Sequence, residues 1–96
     1  MAIGVEQSFP GATLEQYDEV VQKMGFTHGG PGAPGGISHF VSKTDDGIRV
    51  VDVWQSKEQF ETFAQDKIGP YAAAVGFPAP PVVHFFEVHN YLTPGS

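Results

Sequence analysis

The sequence predicts a single α+β domain in which two helices cover one face of a four-stranded antiparallel sheet. Four short runs are rich in β-branched and aromatic residues, and two capping boxes each open an amphipathic run. The two halves of the chain also repeat one order: strand, capped helix, a Met-Gly-Phe or Val-Gly-Phe triplet, a Gly/Pro-rich loop, then strand. With 41% hydrophobic and 12% aromatic content, residues 1–96 are expected to form one domain.

The first half supplies one strand, one helix and a long loop. Residues 3–9 (IGVEQSF) alternate loosely and stop at Pro10-Gly11, which predicts a strand followed by a turn. Thr13 and Gln16 stand in capping-box spacing, so a helix is predicted from there to Gly25. Residues 26–36 (FTHGGPGAPGG) are too dense in glycine and proline for regular structure, and we expect a loop.

The second half supplies a hairpin, a second helix and the last strand. Residues 37–43 (ISHFVSK) and 47–55 (GIRVVDVWQ) are predicted to pair as antiparallel neighbours. A capping box from Ser56 to Gln59 starts a helix that should end near Gly69-Pro70, followed by a short extra turn. Residues 82–92 (VVHFFEVHNYL) form the last strand, and Pro94 ends the ordered part.

The element order βαββαβ is that of the split βαβ, or ferredoxin-like, unit. Its antiparallel sheet carries helices on one face only, yet all four predicted strands contain apolar residues at positions of both parities. The second face therefore needs a cover. We expect that cover to be the sheet of a second copy, which gives a homodimer.

Composition excludes several classes of partner. The formal net charge is −6, and five Lys and Arg against eleven Asp and Glu leave no basic stripe for nucleic acid. No apolar run approaches the length of about 20 residues that a membrane span needs. The chain has no cysteine, which fits a reducing compartment, and a cytoplasmic location is expected.

A glycine pattern and four histidines raise the question of a nucleotide or metal site, and neither predicts one. Gly30, Gly32 and Gly35 satisfy G-x-G-x-x-G, but a dinucleotide fingerprint follows a strand and opens a helix, whereas this one follows a helix and enters a strand. His84 and His89 lie an odd number of residues apart on one predicted strand and so point to opposite faces. His28 and His39 lie elsewhere, and no metal site or cofactor is predicted.

Asp52 is the anomaly in the sequence, because it stands in an apolar strand between Val51 and Val53. If its face looks towards the helices, it shares a cleft with Trp54 and could act as a general base or hold a ligand hydroxyl. The alternative is a structural carboxylate that is bonded to a neighbouring strand or across the dimer interface.

The hairpin register decides whether His39 can be the partner of Asp52. A three-residue loop, which a glycine at its third position (Gly47) favours, places Phe40 opposite Asp52 and His39 on the other face. A loop of two or four residues places His39 directly across from Asp52. The three-residue loop is the expected one.

The stretch VDVWQSKEQFETF (residues 51–63) and the terminal VHNYLTP resemble the dimeric α+β barrel proteins, particularly the small antibiotic biosynthesis monooxygenase-like members. The resemblance implies sheets paired face to face, a cleft for a small aromatic substrate, and oxygenation without metal or flavin. Trp54 matches a cleft-lining tryptophan of that family, while its expected asparagine and tyrosine are Val50 and Phe60 here. The polyketide cyclases of the same fold suggest a role for Tyr71.

The combined expectation is a protein that binds a small hydrophobic or aromatic molecule between sheet and helices. Its activity would be cofactor-independent monooxygenation of an aromatic or polyketide-like substrate; the alternatives are a cyclase-like enzyme and a non-catalytic binding or accessory protein. The catalytic candidates are Asp52, Tyr71 and His39. The candidates for substrate binding are Trp54, Phe40, Phe60 and His84, of which His84 could replace His39 as acid or base if it shares the cleft.

Overall fold

A computed structural model describes residues 2–27 and 29–92. Its elements, in chain order, are β1 (Ile3–Pro10), α1 (Leu14–Lys23), β2 (Gly36–Lys43), β3 (Gly47–Trp54), α2 (Lys57–Phe63), a π-helical segment (Ala64–Ile68), α3 (Gly69–Val75) and β4 (Val82–Glu87). The strands form one antiparallel sheet in the order β2-β3-β1-β4. The predicted α+β, ferredoxin-like fold is confirmed, and pairing into a dimer stays a prediction.

The sheet buries the side chains that point towards the helices. On β1 these are Val5, Gln7 and Phe9, and on β3 they are Ile48, Val50, Asp52 and Trp54. The apolar ones divide into two clusters, one around Phe9 and Ile48 and one around Val5 and Trp54. Ile68 of the π-helical segment packs against both clusters, so this segment joins the two halves of the core.

Helix α1 begins and ends as its sequence predicts. The Thr13 hydroxyl accepts from the Gln16 N–H, and the Gln16 side chain accepts from the Thr13 N–H, which completes the capping box. At the other end Gly25 has a φ of 86°, and the Phe26 N–H donates to the Val21 carbonyl at 3.0 Å. These are the bonds of a Schellman motif.

The Val-Gly-Phe triplet ends α3 by the same device. Gly76 has a φ of 95°, and the Phe77 N–H reaches back to the Ala72 carbonyl at 3.0 Å. The repeated triplet in the sequence is therefore a repeated helix end. Each copy places a phenylalanine directly after the left-handed glycine.

The predicted end of the second helix at Gly69-Pro70 is wrong. Residues 57–75 are helical throughout, because the π-helical segment widens the turn immediately before the proline, and the Gly69 N–H bonds to the Ala64 carbonyl. In a regular α-helix the Pro70 ring would press on the carbonyl four residues earlier. Instead Pro70 lies in the first turn of α3, where its missing N–H removes no helical bond.

The expected hairpin register is also wrong. His39 pairs with Asp52 and Lys43 with Ile48, and the Thr44 N–H donates to the Gly47 carbonyl at 2.9 Å, so the loop proper is the two residues Asp45-Asp46. Gly47 is not at positive φ. It is needed because β1 crosses close by: a Cβ at Gly47 would lie 2.1 Å from the Phe9 carbonyl oxygen.

The last strand is shorter than predicted. Strand β4 ends at Glu87, which pairs with Ile3, the first residue of β1. Strand β4 lies at the edge of the sheet and pairs with β1, and the pairing ends just before β1 begins, where the Val88 N–H donates to the Ala2 carbonyl at 3.3 Å. His89 therefore follows the strand instead of belonging to it. The argument that placed His84 and His89 on opposite faces of one strand therefore does not apply. Pro94, expected to end the ordered part, lies outside the described residues.

The face of the sheet away from the helices is open and carries both apolar and polar side chains, the polar ones including Glu6, Arg49 and His84. Phe40, Val82 and Phe86 are exposed there, together with the half-buried Val51 and Val53. The ring of Phe86 lies across Gly4, where a Cβ would come within 2.1 Å of it. No helix among residues 2–27 and 29–92 is long and apolar enough to cross a membrane.

We expect Gly47→Ala to destabilise the fold by about 1–3 kcal/mol, because the added methyl group has no space beside the Phe9 carbonyl. Denaturant unfolding followed by circular dichroism measures this. Gly32→Ala is the matched control, since a Cβ at Gly32 meets nothing within 4 Å. Equal stability of the two variants would contradict the close crossing of β1 and β3.

Candidate functional site

A cavity of about 450 Å³ lies between the sheet and the helices. Its walls are mostly apolar, with aromatic side chains from the sheet, the helices and both helix ends. These aromatic residues are Phe9, Tyr17, Phe26, Trp54, Phe63 and Phe77. A concave apolar space with few polar groups is typical of a small-molecule site.

The polar groups of the cavity converge on Asp52. Its carboxylate Oδ1 is 2.6 Å from the Nδ1 atom of His39, the residue directly across the sheet. Its other oxygen, Oδ2, accepts from the Trp54 indole N–H at 3.1 Å. Each oxygen of this buried carboxylate thus has one donor, as a desolvated charge requires.

The hydrogen bonds continue from His39 to Tyr17 on α1. The Tyr17 hydroxyl bonds to the Nε2 atom of His39, and the two rings stack 5.8 Å apart at 12°. Because the Asp52 carboxylate only accepts, a neutral His39 carries its proton on Nδ1 and accepts from the Tyr17 O–H at Nε2. Tyr17, His39 and Asp52 therefore form a chain for proton transfer, which we call the relay.

The relay runs from the interior to the solvent. The Asp52 side chain is 5% exposed, whereas that of His39 is 46% exposed on the edge strand β2. A proton that reaches His39 can therefore leave to water, while Asp52 stays desolvated beside it. This is the arrangement that a general base needs if it is to be reset between turnovers.

Burial raises the pKa of the Tyr17 hydroxyl above its ordinary value of 10.0, and the negative charges of Asp52 and then Asp18 raise it further. All three causes disfavour the phenolate. Tyr17 therefore stays protonated at neutral pH. It can pass a proton on or donate a hydrogen bond, but it does not store a negative charge.

Tyr17 is the site residue that sequence reasoning missed. It lies in the apolar stripe of α1 and is half-buried against the Phe9 cluster, as a core residue would be. The sequence held one indication of this role: a tyrosine in a core-facing stripe needs a hydrogen-bond partner for its hydroxyl. A correct prediction of the two-residue hairpin loop would have identified that partner, because this loop places His39 on the helix-facing side of the sheet.

The structure does not bring Tyr71 to the relay. Tyr71 lies on α3 and is absent from the described lining of the cavity, although its neighbour Ala72 belongs to it. Adjacent helical residues point about 100° apart, so Ala72 faces the cavity and Tyr71 turns away from it. Tyr17, on α1, is the tyrosine that contacts the His39–Asp52 pair.

Of the four predicted binding residues, Phe60 and His84 do not line the cavity. Phe60 is buried behind Trp54, with ring centroids 5.8 Å apart, and supports the indole without lining the cavity. His84 lies opposite Glu6 on the open face, where it stacks on Phe86. Phe40 borders the cavity, but its place opposite Val51 puts its side chain on the open face. Only Trp54 presents its side chain to both Asp52 and the cavity.

The glycine-rich loop borders the cavity but shows no phosphate-binding arrangement. It follows α1 and enters β2, and its residues 29–33 line the cavity wall. The Gly35 carbonyl accepts from the Gln55 N–H at 2.9 Å, which anchors the loop to the end of β3. In the described part of the chain, no three His, Cys, Asp or Glu residues are grouped to hold a metal ion. His28 lies outside that part.

Solved structures share this fold over nearly the whole chain. One is a monooxygenase from the gene ActVA-Orf6 of Streptomyces coelicolor in complex with nanaomycin D, with a TM-score of 0.55 and 19% identity over 98% of this chain and 92% of that one. Another is a variant of SnoaB, a cofactor-independent oxygenase from Streptomyces nogalater, with a TM-score of 0.57 and 18% identity over 97% and 96%. The chain shares the fold of these two oxygenases. The resemblance seen in the sequence is thereby confirmed for the fold.

A third structure widens the range of ligands found in this fold. MhuD, crystallised as a variant with two manganese protoporphyrin IX molecules per active site, matches with a TM-score of 0.50 and 18% identity over 98% of this chain and 100% of that one. No protein-family model and no curated protein sequence matches the chain. The choice of reaction therefore depends on the groups in the cavity.

The raised pKa of Tyr17 gives a test of the relay. In an alkaline titration followed by tyrosinate absorbance, the step that Tyr17→Phe removes should lie above pH 10.0. Asp52→Asn should lower that step only in part, because burial is the larger cause and remains. Asp45→Asn, a change in the exposed hairpin loop, should leave it unchanged.

The raised pKa of Tyr17 also makes the free energy of unfolding depend on pH. An unfolded chain loses the Tyr17 proton near pH 10.0, before the folded chain does. The contribution of Tyr17 to the free energy of unfolding is therefore complete below pH 10.0 and declines as the pH rises towards the higher folded pKa. Denaturant unfolding should show a shallower alkaline decline in Tyr17→Phe than in the wild type, and equal declines would contradict the shift.

Proposed function

We propose that the chain is a cofactor-independent monooxygenase that acts on a small phenolic aromatic or polyketide-like molecule in the cavity. The observation that carries the proposal is the relay of Tyr17, His39 and Asp52, which opens on an apolar cavity beside Trp54. A phenol is the substrate that such a site can activate. The ring of a phenol can pack against the aromatic walls, and the relay can accept its hydroxyl proton.

The first step is removal of the substrate proton. The substrate hydroxyl donates to the Tyr17 oxygen while the Tyr17 proton moves to His39 Nε2, so no tyrosinate accumulates. The carboxylate of Asp52 then stabilises the imidazolium through Nδ1 at 2.6 Å. The product of this step is a substrate anion held in an apolar environment, where it is more reactive than in water.

The second step is oxidation of that anion by dioxygen. The substrate supplies the electrons, one oxygen atom forms the new ring carbonyl, and the other leaves as water with two substrate hydrogens. A phenol and one dioxygen thus give a quinone and one water, and the proton taken by the relay is returned in the water. The protein supplies the base, the orientation and the dry cavity, and SnoaB is described as a cofactor-independent oxygenase of the same fold.

The polar groups in this proposal come from different positions than the resemblance implied. The positions of its asparagine and tyrosine are Val50 and Phe60, both buried and apolar. Tyr17 on α1 and His39 on β2 supply polar groups instead. The proposed reaction therefore uses the matching tryptophan, Trp54, but takes its polar groups from Tyr17 and His39.

A cyclase-like reaction is the second candidate, and the raised pKa of Tyr17 favours it. The His39–Asp52 pair could remove a proton next to a ketone, while a protonated Tyr17 donates a hydrogen bond to the enolate oxygen. This reaction takes up no oxygen. Oxygen consumption therefore separates the two candidates, and binding without any conversion would indicate a ligand-binding protein.

We expect Asp52→Asn to keep the fold and to lower kcat by about 10²–10⁴-fold, because the imidazolium loses its counter-charge. An oxygen electrode and mass spectrometry of the product measure this with 1-naphthol and dihydroxynaphthalenes as substrates. Tyr17→Phe should also lose activity, whereas Asp45→Asn should not. Wild-type turnover by a folded Asp52→Asn variant would contradict the proposed base, and loss of the fold would indicate a structural carboxylate.

We further propose that the active form is a homodimer joined through the open face of the sheet. Phe40, Val82 and Phe86 are exposed there, and with Val51 and Val53 they offer apolar contact area beside the polar Glu6 and His84, on a sheet with helices on one side only. A second copy of the same face covers it with self-complementary contacts.

Phe40→Glu should convert this dimer to a monomer, because the new charges would meet across the two-fold interface. Leu14→Glu is the control, since Leu14 is 41% exposed on α1 compared with 53% for Phe40 on the open face. Light scattering coupled to size exclusion measures the mass. A Phe40→Glu variant that keeps the wild-type mass would exclude this face as the interface.

A further inference from the structure

Gln7 is the one buried side chain of the central strand with an amide, and it lines the cavity. It lies between Val5 and Phe9 on the helix-facing side of β1, and its residue is only 3% exposed. Its partners across the sheet are Val50 and Val83, neither of which offers a polar side chain. The amide of Gln7 therefore lies among apolar neighbours in the sheet.

No hydrogen bond joins the Gln7 side chain to another of the described residues. The side chains of Gln16 and Gln59, by contrast, make three hydrogen bonds at helix caps, with Thr13, Gly76 and Ser56. Every fully buried side-chain nitrogen or oxygen of the described residues has a partner, so the amide of Gln7, which has none, must keep some exposure to the cavity that Gln7 lines. A ligand that fills the cavity and offers this amide no acceptor would leave it unpaired, which is unfavourable. The unpaired amide faces the cavity, so a partner for it is to be sought in the cavity.

The position of Gln7 relative to the relay defines that partner. Val5 pairs with Asp52 and Gln7 with Val50, so Gln7 and Asp52 are diagonal neighbours on the same face of the sheet. The relay engages one ligand oxygen, the acidic hydroxyl. An amide N–H at the centre of the sheet suits a second, accepting oxygen on the same ligand.

We propose that Gln7 is a ligand-binding residue that donates its amide N–H to a carbonyl oxygen of the ligand. The ligand class is then a fused aromatic compound with an acidic hydroxyl at one position and a carbonyl at another. This inference rests on the proposed function in one respect, that the ligand occupies this cavity. It does not depend on which reaction follows.

Three naphthalene probes separate the two contacts. The first, 5-hydroxy-1,4-naphthoquinone, has a hydroxyl and carbonyls, 1-naphthol has only the hydroxyl, and 1,4-naphthoquinone has only carbonyls. Trp54 is the only tryptophan of the chain and lines the cavity, so quenching of its fluorescence measures each Kd. The absence of cysteine excludes thiol addition to the quinones.

In the wild type, the hydroxyquinone should bind more tightly than either of the other two probes. In Gln7→Met, which keeps the length of the side chain, affinity for both quinones should fall about three- to tenfold while affinity for 1-naphthol is unchanged. Tm should be equal to or above that of the wild type, because an unpaired buried amide has been removed. Gln22→Met, the same change at an exposed position of α1, should alter neither quantity.

Several results would overturn the proposal. Equal affinity of Gln7→Met and wild type for the hydroxyquinone would exclude the contact between the Gln7 amide and the carbonyl. An equal loss of affinity for all three probes would show that the substitution changed the shape of the cavity instead. A lower Tm in both Gln7→Met and Gln7→Leu would make the amide structural, and no binding of any probe to the wild type would also refute it. The expected binding pattern without oxygen uptake would overturn the proposed oxygenation and leave the Gln7 contact standing.

Discussion

The need of the buried Asp52 carboxylate for hydrogen-bond donors constrains much of this structure. Its two oxygens are satisfied by His39 from β2 and by Trp54 from its own strand, and removing either donor would leave a desolvated charge unpaired. A shift of one residue between β2 and β3 would place Phe40 opposite Asp52 and turn His39 to the open face. The short hairpin loop and the close crossing at Gly47 hold the register that prevents this.

The fold was predictable because its signals are local and agree with one another. The capping-box spacings at Thr13 and Ser56 and the strand patterns all indicate the same topology, and the structure has it. At Ser56 only the hydroxyl cap on the Gln59 N–H formed, and β4 is shorter than predicted. The errors arose where tertiary packing overrides a local rule. Gly47 reads as a turn residue but serves a close strand crossing, and the helix passes through Pro70 because a π-helical turn precedes it.

The candidate site was less predictable than the fold. Asp52 and Trp54 stood out because a carboxylate and an indole are unusual in a valine-rich strand. Tyr17 and Gln7 did not, because each stands in a pattern that core residues also produce, and only the cavity separates the two roles. Whether a side chain in a core-facing position packs or binds depends on where the helices fail to fill the space above the sheet, which no local pattern encodes.

The two helix ends that place Phe26 and Phe77 after a left-handed glycine have a consequence for how this cavity can evolve. The defining bonds come from the backbone N–H groups of these residues, so the helix ends do not require phenylalanine there. Both side chains line the cavity. The internal repeat therefore places an aromatic wall of the cavity at each of two helix ends. A smaller side chain at either position would widen the cavity at the expense of the ring contact with Phe63 or Phe9, while the sheet that carries the proton-transfer groups keeps its register.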